Sequence, residues 1–238
     1  MKFFFDGLDR AIHLLTHPDA ALLQILKVTL QVALWSTLLA LVIGLPLGLL
    51  LGLESFRGRR FGVAVANAGL GFPPVFVGIV LALLFFRGAP LGSLHLIYSV
   101  KGIVVAQTIL ALPIVVAFTA SSVHGVSAGL FDQARALGAS RWRVWALALR
   151  EARVGVFAAA IGALGSALAE VGAVVLVGGN IYGSTQTLSS ALLEQVNAGN
   201  YGRAMAFGII LMGFIIVIIA ALTVAQQRGA RTVVGRAS

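Results

Sequence analysis

Five long apolar runs constrain the fold of this chain more than any other feature of its sequence. The runs are 28–53, 61–86, 102–123, 154–181 and 204–225. Only the fourth run carries a charged residue, Glu170. A transmembrane helix takes about 20 apolar residues, and in hydrocarbon the backbone must satisfy its own hydrogen bonds, which favours helices. The sequence therefore predicts an all-α integral membrane protein with about five transmembrane helices, in which residues 1–238 form a single domain.

The charge content supports a membrane environment. Charged residues make up 11% of the chain and apolar residues 59%, whereas about a quarter of the residues in a soluble domain are charged. The net charge is +9, but membrane proteins gather Lys and Arg in their cytoplasmic loops, so this balance implies no nucleic-acid partner. The chain has no cysteine, which excludes disulfides and thiolate chemistry.

The distribution of basic residues predicts the orientation in the membrane. With the N-terminus outside, the inner segments hold 11 of the 17 Lys and Arg residues and the outer segments hold six. The inner set includes Arg228, Arg231 and Arg236 after the last run. This bias favours an outer N-terminus and a cytoplasmic C-terminus in a multi-pass membrane protein. Residues 1–23 mix charged and apolar side chains, and we interpret them as an amphipathic lead-in at the membrane surface.

Glycines and prolines predict how the apolar runs pack and where they break. Three glycines repeat every four residues along one face of the first run: Gly44, Gly48 and Gly52. Such a stripe of small residues lets a second helix approach closely. We expect Pro46, the Pro73–Pro74 pair and Pro113 to kink their runs or to mark breaks.

The polar segment 124–153 reads as two short helices joined at a glycine. Leu130, Ala134 and Leu137 would form an apolar stripe on the first helix, with Asp132, Gln133 and Arg135 on its polar faces. Gly138 would end this helix, and Ser140 would cap the second. Trp142 and Trp145 lie three residues apart on that second helix, where indoles favour the lipid–water boundary.

The same segment resembles the cytoplasmic signature of ABC-importer permeases, which is Glu-Ala-Ala, three residues and then Gly. The string here is DQARALGASRWRVW, with Asp132, Gln133 and Ala134 in the first three places and Gly138 in the glycine place. The acidic place and the glycine are kept, whereas Gln133 replaces an Ala, and Arg150-Glu151 replaces the usual Leu-Pro. The resemblance implies that this coupling loop contacts a separate ATPase through Leu130, Asp132, Gln133, Ala134, Arg135, Leu137, Gly138, Ala139 and Ser140.

A second stretch narrows the resemblance to molybdate, tungstate and sulfate permeases. Glu170-Val-Gly-Ala173 and Gly178-Gly-Asn180 resemble the end of the corresponding span in these permeases, and the string GGNIYGSTQTLSSALLEQ is most similar to tungstate importer permeases. The resemblance implies a type I, MetI-like architecture and a homodimer. It also implies two ATP-binding subunits that carry ATP and Mg²⁺, and an extracytoplasmic binding protein that would dock on the outer loop 182–203. No cofactor is expected on this chain, which lacks the G-x-x-x-x-G-K-[ST] phosphate loop.

Glu170 needs an explanation, because a charge within a span costs roughly 3 kcal/mol. On a continuous helix it would share a face with Gly162, Ser166 and Ala173, away from lipid. We regard Glu170, Gly172 and Asn180 as candidate intramembrane polar or gate residues. Glu170 could be a hydrogen-bonding post, or the protonation site of an ion-coupled secondary transporter.

Neither a metal site nor a catalytic site is indicated by the sequence. The four histidines do not show metal-ligand spacing, and no serine lies in a His–carboxylate arrangement. A membrane enzyme acting on lipid phosphate would need clustered His, Arg and acidic residues, and only His124 and Asp132 accompany the arginines of 135–153. We therefore expect a transport subunit and not an enzyme.

Overall fold

The computed structural model describes the backbone of residues 2–234 and the side chains of residues 5–224 and of Gln226. Arg236 and the side chains of Lys2, Arg228 and Arg231 lie outside this description. The described backbone is helical and contains no strand. The α-helices are α1 (Lys2–Thr16), α2 (Ala20–Leu53), α3 (Arg59–Gly69), α4 (Pro74–Phe85), α5 (Val100–His124), α6 (Ala128–Ala136), α7 (Arg141–Glu151), α8 (Arg153–Ala169), α9 (Gly172–Gly178), α10 (Leu188–Asn197) and α11 (Tyr201–Val234).

Three continuous helices in the described part of the chain are long and apolar enough to cross a membrane: Ala20–Leu53, Val100–His124 and Tyr201–Val224. Two further pairs of helices, α3 with α4 and α7 with α8, raise the number to five if each pair counts as one span. The all-α class and the predicted number of spans are thus confirmed. Pro46 and Pro113 lie inside α2 and α5 without ending them.

The proline pair breaks the second apolar run, as predicted. Helix α3 ends at Gly69, and α4 begins at Pro74 with Pro73 as its N-cap. Proline suits the first helical position because it has no N–H that needs a partner there, and it disfavours helix in the residue before it. The Pro73 carbonyl accepts the N–H groups of Phe76 at 3.0 Å and of Val77 at 3.2 Å. The run 61–86 is therefore two helices and not one.

The expectation of one continuous helix over 154–181 is wrong. Helix α8 ends at Ala169, and α9 covers only Gly172–Gly178. Glu170 lies in the break between them, so it does not share a helical face with Ala173 as the sequence suggested. The reason is that the Glu170 side chain and the Ser189 hydroxyl form hydrogen bonds with the backbone at the break, as described below.

Contacts between Cα atoms divide the chain into two compact units. The first comprises Met1–Ser36, Pro73–Gln107 and Gly165–Ser238. In its main core, α1, the start of α2, α10 and α11 pack together through Ala11, Leu22, Ile25, Leu188, Ala191, Ala206, Phe207 and Ile210. The lead-in is thus a helix packed on α11, and Asp19 caps α2 by accepting the Leu22 N–H at 2.7 Å.

The second unit comprises Thr37–Phe72 and Thr108–Leu164. The glycine stripe of α2 faces α5, and the close approach of a second helix agrees with the prediction. A Cβ atom at Gly44 would lie 2.7 Å from the Val115 side chain, and one at Gly48 would lie 2.6 Å from that of Thr119. Glycine is required at these positions because backbone and side chains meet with no room for a methyl group.

Candidate functional site

The corner between α6 and α7 is a tightly hydrogen-bonded helix end. Gly138 has a φ of +81°, in the left-handed region that glycine adopts without a steric penalty. Its N–H donates to the Arg135 carbonyl at 2.9 Å, and the Ala139 N–H donates to the Ala134 carbonyl at 2.9 Å. This pair of bonds is a Schellman motif, which satisfies the free carbonyls at the end of a helix. The predicted glycine cap is confirmed.

The face of α6 that packs on the protein differs from the predicted stripe. Phe131 is the buried residue of α6, at 5% exposure, whereas Leu137 is 89% exposed. Leu130 and Ala134 are half-buried. Leu137 is the C-cap residue of α6, and the rest of the described chain does not cover its side chain. The structure thus leaves a large apolar side chain at the tip of the corner.

A small core fixes α6 and α7 to the two long helices of this unit. Phe131, Val144, Ala148 and Ala152 pack with Leu49 of α2 and Val123 of α5. Each of these residues is less than 10% exposed. Helices α6 and α7 are therefore an ordered part of the unit, and displacement of the corner between them must move α2 and α5 or disrupt this core.

Glu54, which the sequence analysis did not single out, ties the start of α7 to the end of α2. Its Oε1 lies 3.3 Å from Nε of Arg141 and accepts the Trp145 indole N–H at 3.4 Å. The Arg141 guanidinium also lies 4.8 Å from the centre of the Trp145 ring, close enough for a cation–π interaction. The signal available in the sequence was a lone acidic residue directly after an apolar run.

Of the remaining predicted coupling residues, Ala139 is half-buried against the Phe131 core, and the others face solvent in this chain. Asp132 and Arg135 form an ion pair at 3.1 Å, with both side chains largely exposed, so the pair contributes little to stability. Gln133 is exposed as well. Ser140 occupies the N-cap position of α7, as predicted, but its side chain makes no capping hydrogen bond.

One local hydrogen bond and one from the start of α10 stabilise the break at Glu170. The Glu170 Oε1 accepts the N–H of Ala173 at 3.0 Å, and its backbone carbonyl accepts the Ser189 hydroxyl at 2.8 Å. These bonds satisfy groups that the interruption of the helix would otherwise leave free. Glu170 is half-buried. Its described contacts are those of a group that stabilises a backbone break.

Buried polar side chains on α2 and α5 support α8 near the same break. Gln107, 2% exposed, donates from Nε2 to the Ala167 carbonyl at 3.0 Å. The Ser36 hydroxyl lies 3.3 Å from Oε1 of the same glutamine. Sequence reasoning missed Gln107, although a lone Gln within an otherwise apolar run was a usable signal.

The other two candidate gate residues have separate surroundings within the first unit. A Cβ atom at Gly172 would lie 2.6 Å from the Val75 side chain, so the start of α9 packs closely on α4. Asn180 has a φ of +49° after the end of α9 and donates from Nδ2 to Oε2 of Glu194 at 2.9 Å. Gln186 donates to the same oxygen. Glu194 therefore organises the loop that follows α9.

The Thr187–Ser190 segment closes this loop with a capping box. Thr187 accepts the Ser190 N–H through Oγ1, and the Ser190 hydroxyl accepts the Thr187 N–H at 2.9 Å. The Leu188 N–H donates to the Thr29 hydroxyl of α2 at 2.8 Å. These residues are buried, so their polar groups must be paired in this way.

Comparisons with known proteins agree with this architecture. The family described as "Binding-protein-dependent transport system inner membrane component" matches residues 44–231. Over 168 residues the chain is 38% identical to the probable anion ABC transporter permease protein of Haloferax volcanii, a match covering 68% of this chain and 72% of that protein. It is 34% identical over 212 residues to the tungstate uptake system permease protein TupB of Campylobacter jejuni, with 89% of each chain covered.

The fold also matches a solved transporter. The chain superposes on a chain of the methionine ABC transporter MetNI in an inward-facing conformation with a TM-score of 0.69 and 20% identity, covering 90% of this chain and 96% of that one. At this identity the match concerns the fold alone. The chain therefore belongs to the family of binding-protein-dependent transport system inner membrane components, the permease subunits of ABC importers, and has their MetI-like all-α fold.

Proposed function

We propose that this permease imports tungstate, or the chemically similar molybdate, and that a separate ATPase drives it through α6. The observation that carries the coupling proposal is the exposed Leu137 at the tip of an ordered corner. The identity to TupB over 89% of both chains supports the choice of cargo. The working assembly would be a permease homodimer with two ATPase subunits and an extracytoplasmic binding protein.

The proposed mechanism is mechanical. Leu137 would enter an apolar groove on the ATPase, where full burial of a leucine side chain is worth about 1.5–3 kcal/mol. Asp132, Gln133 and Arg135 would face the rim of that groove. When ATP binding moves the groove, the Schellman corner would keep α6 and α7 together, and the Phe131 core with the Glu54–Arg141 pair would pass the movement to α2 and α5.

Cross-linking tests the docking of α6 directly. Because the chain has no cysteine, Leu137→Cys is a single-cysteine variant that can be paired with cysteines around the ATPase groove. We expect a disulfide with the ATPase, with a yield that changes when ATP is added. Leu193→Cys on α10, which is also exposed, is the matched control and should give none. Equal cross-linking from both positions would contradict the proposal.

Cysteine labelling tests the orientation independently. Tyr182 is 72% exposed, so a membrane-impermeant maleimide added outside should label the Tyr182→Cys variant. The same reagent should leave Leu137→Cys unlabelled until the membrane is permeabilised. The reverse pattern would place the coupling loop outside and contradict both the orientation and the coupling proposal.

The cargo is tested by uptake in proteoliposomes that contain the permease, its ATPase and its binding protein. We expect ATP-dependent uptake of tungstate, inhibited by molybdate more strongly than by sulfate. Uptake that persists without the ATPase would contradict the coupling proposal, whereas ATP-dependent uptake of an unrelated solute would contradict only the choice of anion.

A further inference from the structure

A basic cavity lies in the second unit between the ends of α2 and α5 and the start of α3. Its volume is about 430 Å³. Its polar lining residues are Arg59, Arg60, Asn67, Ser121 and His124. Its apolar lining residues are Leu51, Val63, Ala66, Ala117 and Ala120. No carboxylate is among these described lining residues, so the cavity has a net positive charge.

Arg59 of this cavity is held differently from the two arginines of the same unit that form ion pairs. Arg135 is paired with Asp132 and Arg141 with Glu54, and these are the ion pairs found within the described part of the chain. Arg59 is instead held by a hydrogen bond from its Nε to the Leu51 carbonyl at 2.7 Å, and it is half-buried. A positioned guanidinium without a carboxylate partner is suited to bind a phosphate group from outside the chain.

An apolar groove on the neighbouring face of α3 indicates the source of that phosphate. The groove has a volume of about 300 Å³ and shares Leu51 and Ala66 with the basic cavity. Its other walls include Leu47, Val65 and Phe72. A free, hydrated oxyanion gains nothing from apolar walls, whereas a phospholipid brings acyl chains that bury against them.

We propose that the Arg59–Arg60 cavity binds the phosphate of an anionic phospholipid, whose acyl chains lie along the groove beside α3. The guanidinium groups donate hydrogen bonds to the phosphate oxygens, and Asn67, Ser121 and His124 supply further polar groups around them. This proposal rests on the membrane placement described above and on neither the transported anion nor the ATPase. It assigns these arginines a lipid-binding role that the positive-inside bias alone does not require.

The test is a count of bound lipid on the full chain purified with its ATPase in a neutral detergent. Native mass spectrometry compares phosphatidylglycerol with phosphatidylcholine of the same acyl chains. We expect phosphatidylglycerol to be preferred by about 25-fold, because two arginines near an anionic headgroup each strengthen its binding. Inorganic phosphate in excess should not displace it, because free phosphate cannot occupy the groove.

Two variants and a matched control make the result specific. Arg60→Gln should reduce the preference for phosphatidylglycerol. The double variant, Arg59→Gln with Arg60→Gln, should abolish it. Arg60 is exposed, so its single variant tests the site even if the loss of the Arg59 hydrogen bond impairs folding. Arg143→Gln with Arg150→Gln on α7 removes the same charge outside the cavity and should keep the preference.

Three results would overturn the proposal: no preference in the wild-type chain, equal loss in the control pair, or displacement of the lipid by inorganic phosphate. The last result would assign the cavity to a free oxyanion. Because the readout is bound lipid, failure here leaves the proposed import function intact, and failure of tungstate uptake leaves this site intact.

Discussion

Replacing Gly138 with alanine should destabilise the corner between α6 and α7, and the free-energy cost follows from the backbone conformation at this position. A Cβ atom at this position meets nothing within 4 Å, so the cost is purely the left-handed backbone, roughly 1–2 kcal/mol. Such a cost raises the open fraction of the corner about 5–30-fold. Because Asn tolerates this conformation, Gly138→Asn should lose much less.

Hydrogen exchange measures this opening directly. The Gly138 and Ala139 N–H groups form the two bonds of the Schellman motif, so their protection should fall about 5–30-fold in Gly138→Ala. Gly129→Ala is the matched control, because its new Cβ would lie 3.7 Å from the Ser127 hydroxyl, an ordinary contact in a helix that prefers alanine. In Gly138→Ala, ATP-driven uptake should fall together with the hydrogen-exchange protection of the corner. Unchanged protection in Gly138→Ala, or an equal fall in the control, would refute the reasoning.

Two further substitutions probe the packing and the polar break. Gly48→Ala should destabilise the protein by about 1–3 kcal/mol and lower its Tm, since the new methyl group would overlap the Thr119 side chain. Gly213→Ala is the control: its new Cβ atom would have no neighbour within 4 Å, so the Tm should be almost unchanged. Glu170→Gln should retain most ATP-driven uptake because an amide oxygen can still accept the Ala173 N–H, whereas Glu170→Ala should lose about 1 kcal/mol of stability. Abolished uptake with an unchanged Tm in Glu170→Gln would instead point to a protonation role.

Much of the fold could be predicted because the requirements for crossing a lipid bilayer apply to each apolar run separately. Length and polarity decide whether a run crosses the membrane as a helix, and both can be read directly from the sequence. The glycine stripe on α2 and the glycine corner at Gly138 were also predictable, since each depends on spacing or backbone freedom within a few residues. The motif that carries the family resemblance lies within one such local segment.

The break at Glu170 depended on the tertiary structure. A helix can be interrupted within an apolar run only where other groups satisfy its backbone, and here Ser189, distant in the sequence, does so. The exposure of Leu137 also depended on the tertiary structure, because local periodicity placed this residue on an apolar stripe without deciding what covers it. Local patterns thus determined the helices and the corner, whereas contacts between distant segments decided where a helix stops and which side chains remain free to bind a partner.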